Sequence, residues 1–296
     1  MIKLNSFIKK IFLFSAVLFS FIACKSAPVS VEVRPLDILD EKSSFYLAIP
    51  KSVDPVLIQT ILQNNIDGLS DKNAALILGN INKIYCGLNR SKNKTSIQAT
   101  IDASIPQKYI SKVLNKKNGF SNRKFIPEKS QNEYTFYSNE KVELVFPSSK
   151  IACLGRDLEN VISTYDTILT TAQPNYFSRD FSLLDEELYD YLDSAENEIR
   201  FFANKPQSFL TILTGANLDL KLVNVKGSFS LDANHNEQYL LNLDLNFRNE
   251  KFLKAGRTLL TLAFGLTDSQ SEINGTHFLV KGIKIHKNQL YKLLIL

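Results

Sequence analysis

The sequence predicts an α+β fold of two related modules, each of order β-α-β-β-α-β-β-α with antiparallel sheets, joined by an amphipathic helix. Three observations predict it. Leu241, Leu243, Leu245 and Phe247, with Asn242, Asp244 and Asn246 between them, have the period of two expected of a half-buried strand. Other stretches carry apolar residues every three or four positions, the spacing of one helix face. The same succession of runs is met twice, once from Ser44 and again from Ile199.

The first module, residues 41–172, opens with a strand at 44–50. Asp54 then Pro55 supply a helix N-cap and a proline suited to the first helical position; Val56, Leu57, Ile58, Ile61 and Leu62 form that helix's apolar face. A helix over 71–78 behind Ser70 is peculiar to this copy. Strands over 81–88 and 95–103 pair across a turn at 89–94, and a helix at 106–116 carries Tyr109, Ile110, Val113 and Leu114. Strands at 134–137, 142–146 and 150–154 lead to Asp157 as N-cap of a helix over 158–165.

Residues 173–198 link the modules. Leu184, Leu188, Tyr191, Leu192 and Ala195 recur at helical spacing, and Asp185, Glu186, Glu187, Asp190 and Asp193 give an acidic opposite face. That face does not have the alternating ligands and central glycine of an EF-hand loop, so it reads as solvated. The second module, 199–296, repeats the programme: a strand at 199–203, a helix with Phe209, Leu210, Ile212 and Leu213, and strands at 220–231 and 238–247. A helix at 250–266, short strands at 278–280 and 283–286, and Asn288 as N-cap of a last helix at 289–294 complete it. The competing reading is one large α+β domain without internal homology.

The N-terminus carries a different signal. Lys3, Lys9 and Lys10 precede an uncharged run over 11–23, and small Ala23 stands before Cys24. Charge, apolar core and small residue in that order read as a secretory signal peptide, too short to span a bilayer of ~30 Å as a helix. The segment Phe21-Ile22-Ala23-Cys24 resembles the lipobox of bacterial lipoproteins, departing at Phe21, where that family prefers leucine; relaxed boxes of this kind are similar to those of spirochaetes. The resemblance implies removal of residues 1–23, a diacylglycerol on the Cys24 thiol, and a lipidated tether over 24–40. It further implies a cell-envelope location, with Lys25 rather than aspartate after the cysteine pointing to the outer membrane. A diacyl group meets the requirement for more than one chain in stable anchoring. An ordinary cysteine after a conventional signal peptide and an uncleaved anchor are the alternatives.

Composition bounds the rest. A 44% hydrophobic, 22% charged chain is that of a folded protein. Loss of the three signal-peptide lysines lowers the net charge from +5 to +2, too little to suggest nucleic acid as a partner. Cys86 and Cys153 permit a disulfide in an exported protein, or two buried free thiols. The three histidines, His235, His277 and His286, all lie in the second module; His235 sits in a polar turn, while His277 and His286 occupy a predicted hairpin without an accompanying carboxylate, so no metal is expected. No Gly-x-Ser-x-Gly elbow and no P-loop occur. The expectation is a non-enzymatic lipoprotein without cofactor or catalytic residues, binding a protein partner or having a structural role at the envelope. A carrier of lipid or another apolar ligand is the alternative, and a surface hydrolase the third class. Tyr85, Tyr137 and Tyr239 are compatible with a recognition surface and equally with cross-strand packing.

Overall fold

β1 (Phe45–Pro50) and β8 (Ile199–Ala203) lie side by side at the centre of one antiparallel sheet, Leu47 opposite Phe201, and each leads outward through its own half of the chain. The computed structural model describes residues 32–294, apart from 41–42, 67, 92–93, 129, 172–179, 181, 183, 208–218, 236 and 267–269. Cys24, the signal segment and the helix expected around 209–213 lie outside the described residues. The remaining strands are β2 (Ile81–Ser91), β3 (Lys94–Ala103), β4 (Ser121–Phe125), β5 (Tyr134–Ser138), β6 (Glu143–Val145) and β7 (Ile151–Gly155) in the first half. The second half adds β9 (Leu222–Leu231), β10 (Gln238–Phe247), β11 (Ser271–Asn274) and β12 (His277–His286). Their order across the sheet is β11-β12-β10-β9-β8-β1-β2-β3-β7-β6-β5-β4.

The mixed α and β composition with antiparallel pairing is as the sequence predicts, but the sheets expected for two modules are one continuous sheet. The first half also departs from the predicted order, because four strands follow its middle helix, where the repeated order has two and the individual runs suggest three. Among the described residues the helices are α1 (Pro55–Asn65), α2 (Asp71–Gly79), α3 (Gln107–Val113), α4 (Glu159–Thr171), α5 (Glu186–Asp193), α6 (Glu250–Phe264) and α7 (Lys287–Leu294). Local chemistry explains their ends. Asp54 accepts from the Leu57 N–H at 3.0 Å, Ser70 from Asn73, Asp185 from Leu188 at 2.9 Å and Asn249 from Phe252 at 3.1 Å. Two expected caps are corrected. Asp157 takes a left-handed backbone (φ 59°) ahead of α4, and at α7 the ring of His286, not Asn288, accepts from the Asn288 N–H.

One face of the sheet is covered from β12 across to β6 by α1, α2, α3, α6 and α7, and this layer holds the main core. Leu47, Phe201, Phe229, Leu241, Leu245, Phe247 and Phe278 point into it. The other face is covered only at the centre and across the first half. There α4 packs on Phe136, Val145 and Cys153, while α5 and a 3-10 turn at Pro35–Ile38 pack on Tyr46, Ala48 and Tyr85. Burial follows. Every residue of β1 is buried, whereas β10 alternates strictly between buried and half-buried, its second face being bare.

Two glycines shape the second half. A Cβ on Gly256 of α6 would come within 2.3 Å of the Phe247 ring, so the helix packs against that ring only as glycine. At Gly282 the backbone turns to φ 71° in a bulge, and the Asn242 side chain accepts its N–H at 3.0 Å. The two short strands expected at 278–280 and 283–286 are therefore one bulged strand.

Cys86 and Cys153 are free and buried. They lie on strands separated by β3, with Cys86 opposite Ala99 and Cys153 opposite Thr100. Two strand spacings put them about 10 Å apart, beyond the ~7 Å a bridge tolerates. Cys86 faces the main core and Cys153 faces α4, so the permitted disulfide is not made.

Candidate binding site

The shortest helix of this layer is α3. Pro106 precedes it and Leu114 leaves it at φ −96°, ψ 81°; Asn115 then accepts from the Lys117 and Asn118 N–H groups to begin a 3-10 turn, Lys116–Asn118. Seven residues reach only about 10 Å. Below, β7 presents the small Ala152 to the same layer. Between α1, α2, α3 and strands β3, β6 and β7 this leaves an apolar cavity of about 80 Å³ walled by residues such as Leu62, Ile77, Ile101, Ile110, Leu144 and Ala152. It is about half the size of a 150 Å³ cavity that takes up benzene. One branched aliphatic group fits such a space; an acyl chain does not.

The mouth is formed by Leu76, 51% exposed, and Tyr109, 38% exposed. The Lys108 and Lys112 ammonium groups sit 5.3 and 5.8 Å from the Tyr109 ring centroid, within cation–π range. Beyond them stand the exposed Lys116 and Lys117. Residues 103–127 hold Lys108, Lys112, Lys116, Lys117, Arg123 and Lys124 and no carboxylate. Arg123 is taken up by Glu159 at 2.7 Å and Glu143 at 3.2 Å, and Lys124 by Glu133 at 2.7 Å. The four other lysines have no carboxylate partner among the described residues. Sequence reading missed this site, although the acid-free run was there to be seen.

The residues singled out from the sequence are dispersed. His277 and His286 both lie on β12, nine positions or about 30 Å apart, and share nothing. His277 Nδ1 is 2.6 Å from Asp244, and His235 Nδ1 is 3.2 Å from Asp232. No group of three histidine, cysteine or acidic residues suited to a metal occurs among the described residues. Of the tyrosines, Tyr85 is buried and donates to Asp193 at 3.2 Å, Tyr137 packs on Phe146, and Tyr239 is buried against Asp54 at 2.5 Å. Burial, reinforced by the adjoining carboxylate, raises the Tyr85 and Tyr239 hydroxyls well above the ordinary phenol value. They are packing residues.

The acidic face of α5 is put to structural use. Asp193 holds Arg34 at 3.1 Å, and Glu187 holds Lys226 at 2.9 Å. The 3-10 turn is tied down beside it, since Tyr189 donates to the buried Asp37 at 2.5 Å and Lys150 pairs with Glu32. Residues 32–39 thus form a strap across the sheet, on the face opposite α3.

A family model built for the outer membrane-associated lipoprotein TP0453 matches residues 30–291. The chain belongs to that family. Among solved structures, crystal form I of TP0453 superposes with a TM-score of 0.64 at 16% identity, covering 89% of this chain and 97% of that one. Crystal form III gives 0.63 at 16% identity, with 89% and 98% covered, and form IV gives 0.61 at 14%, with 90% and 98%. At such identities the likeness shows the fold. Comparison with curated proteins gave no match. Family membership agrees with a lipoprotein of the cell envelope associated with the outer membrane.

Proposed function

We propose that the chain is cleaved before Cys24, acylated on that thiol, and works as a tethered, non-enzymatic binding protein at the outer membrane. The observation that carries the reading is the coincidence of an outer membrane-associated lipoprotein family with a cysteine placed directly after a short apolar run. The chemistry of the cavity supports binding over catalysis. Its wall is aliphatic and aromatic, with the Asn73 and Asn80 amides, and holds no carboxylate, histidine or thiol to move protons or attack a substrate. An enclosed carrier site needs several hundred Å³, against about 80 Å³ here.

Metabolic labelling with palmitate in the native host tests the anchor. Label on the wild type and none on Cys24→Ser is expected, with an intact mass that starts at residue 24. Label persisting in the variant, or residues 1–23 still attached, overturns the reading.

A further inference from the structure

We propose that the uncovered sheet face of the second half binds a neutral glycan chain along a row of uncharged polar side chains that crosses four strands. The inference deepens the binding role above by naming a surface and a ligand class, and it stands without the Cys24 anchor. The row follows from strand register. Asn224 of β9 lies opposite Asn246 of β10, Asn246 opposite His277 of β12, and His277 opposite Asn274 of β11. Cross-strand partners share a face, and the adjoining Val225, Leu245 and Phe278 belong to the main core, so the four row residues lie on the other side of the sheet. Three strand spacings make the row about 14 Å long. Asn224, Asn246 and His277 are half-buried and Asn274 is exposed.

Sheet formation does not call for these residues. Asparagine is depleted in strands, yet three stand in one cross-strand row. The Asn224 and Asn274 side-chain amides have no hydrogen-bond partner among the described residues. Asn246 accepts from the Thr276 hydroxyl at 3.1 Å, which leaves its NH2 group for a ligand. Asp244 holds His277 Nδ1 at 2.6 Å, which fixes the ring and leaves Nε2 facing the same task.

The ligand class follows from what the row offers and what surrounds it. Each amide supplies donors and an acceptor without charge, and the hydroxyl groups of a sugar call for both. Charges in the adjoining row are already matched, Lys226 lying 2.9 Å from Glu187 and 4.0 Å from Asp244. A protein partner needs an apolar centre to its interface, whereas Leu240 and Leu279, the aliphatic side chains of this face, are half-buried. An extended peptide pairs with a sheet edge through its backbone, not with a row of side chains running across the strands. Against an anionic polymer, Lys284 stands opposite Leu240, six positions or about 20 Å along β10 from Asn246.

The test is calorimetric titration of the chain from residue 24 carrying Cys24→Ser, so the outcome does not depend on acylation. The probes are chitohexaose, cellohexaose and maltohexaose, neutral chains that differ in linkage and substituent. Binding of at least one is expected. Asn224→Ala/Asn246→Ala should weaken it at least about tenfold through two lost hydrogen bonds, with the circular dichroism spectrum and melting temperature of the parent chain retained. Asn274→Ala, at an exposed position on the sheet edge, serves if the double variant does not fold. Affinity should stay level between about 50 and 500 mM salt, since no ion pair is made. No binding of any of the three, or binding indifferent to these substitutions, overturns the proposal. So does binding that fades as salt rises, which would assign the face to an anionic polymer.

Discussion

Asp54 joins the two halves of the molecule, and its replacement should cost far more than a helix cap. Its carboxylate accepts the Leu57 N–H at the start of α1 and the Tyr239 hydroxyl of β10 at 2.5 Å, and pairs with Lys287 of α7 at 3.2 Å. Asp54 is 2% exposed and the Lys287 side chain 13%. Loss of an N-cap costs about 1 kcal/mol, and a buried charge stripped of its partner about 3–5 kcal/mol. The environment is close to fully buried, so solvent screening removes little of the second figure. Asp54→Ala should therefore lose about 3–5 kcal/mol. Asp54→Asn keeps the cap and an acceptor for Tyr239, and should lose less, about 1–3 kcal/mol, most of it from the stranded ammonium. Adding Lys287→Met to Asp54→Asn should then recover stability. With no tryptophan in the chain, urea unfolding is followed by far-ultraviolet circular dichroism and tyrosine fluorescence. A loss below 1 kcal/mol for Asp54→Ala, or a double variant weaker than Asp54→Asn, would refute the reasoning.

Three further outcomes are expected. Burial alone would raise the Asp166 carboxyl, yet hydrogen bonds from Asn132, Ser130 and Tyr134 bring it below its usual value. The advantage of wild type over Asp166→Asn, about 1–2 kcal/mol, should be full above about pH 4 and vanish as pH falls through the depressed value, read as unfolding midpoints across pH. Gly256→Ala should destabilise by about 1–3 kcal/mol through collision with the buried Phe247 ring, despite alanine's better helix propensity; a higher melting temperature would contradict the packing. Burial pushes the Cys86 thiol up to about 12 and raises Cys153 as well. In the Cys24→Ser chain neither should react with a thiol reagent at pH 8 until urea is added, and prompt labelling of either would place it at the surface.

Much of the fold was legible where one residue type does one job. Asp54 followed by Pro55 marks the start of α1, and the alternation of β10 reports a strand with one covered face. What escaped has physical reasons. β4 reads Ser-Asn-Arg-Lys-Phe and is almost wholly exposed, because an edge strand with uncovered faces needs no apolar alternation. β12 looked like two strands because the Gly282 bulge shifts the side-chain parity midway. Val56 reads as part of an apolar helix face but is exposed, whereas Leu57 and Ile58 are buried. The cavity was illegible altogether. It arises from a helix that stops early above an alanine 39–45 positions away along the chain, a coincidence only tertiary structure reveals.

The unbroken ladder through β1 and β8 also sets how the protein tolerates being divided. A break between the halves would strip the β8 backbone partners from β1, an apolar strand buried along its whole length, leaving a raw hydrogen-bonding edge. Fragments ending near residue 198 should therefore seek other chains and precipitate, so successful expression, crystallisation or display of this protein calls for the entire sheet in one polypeptide.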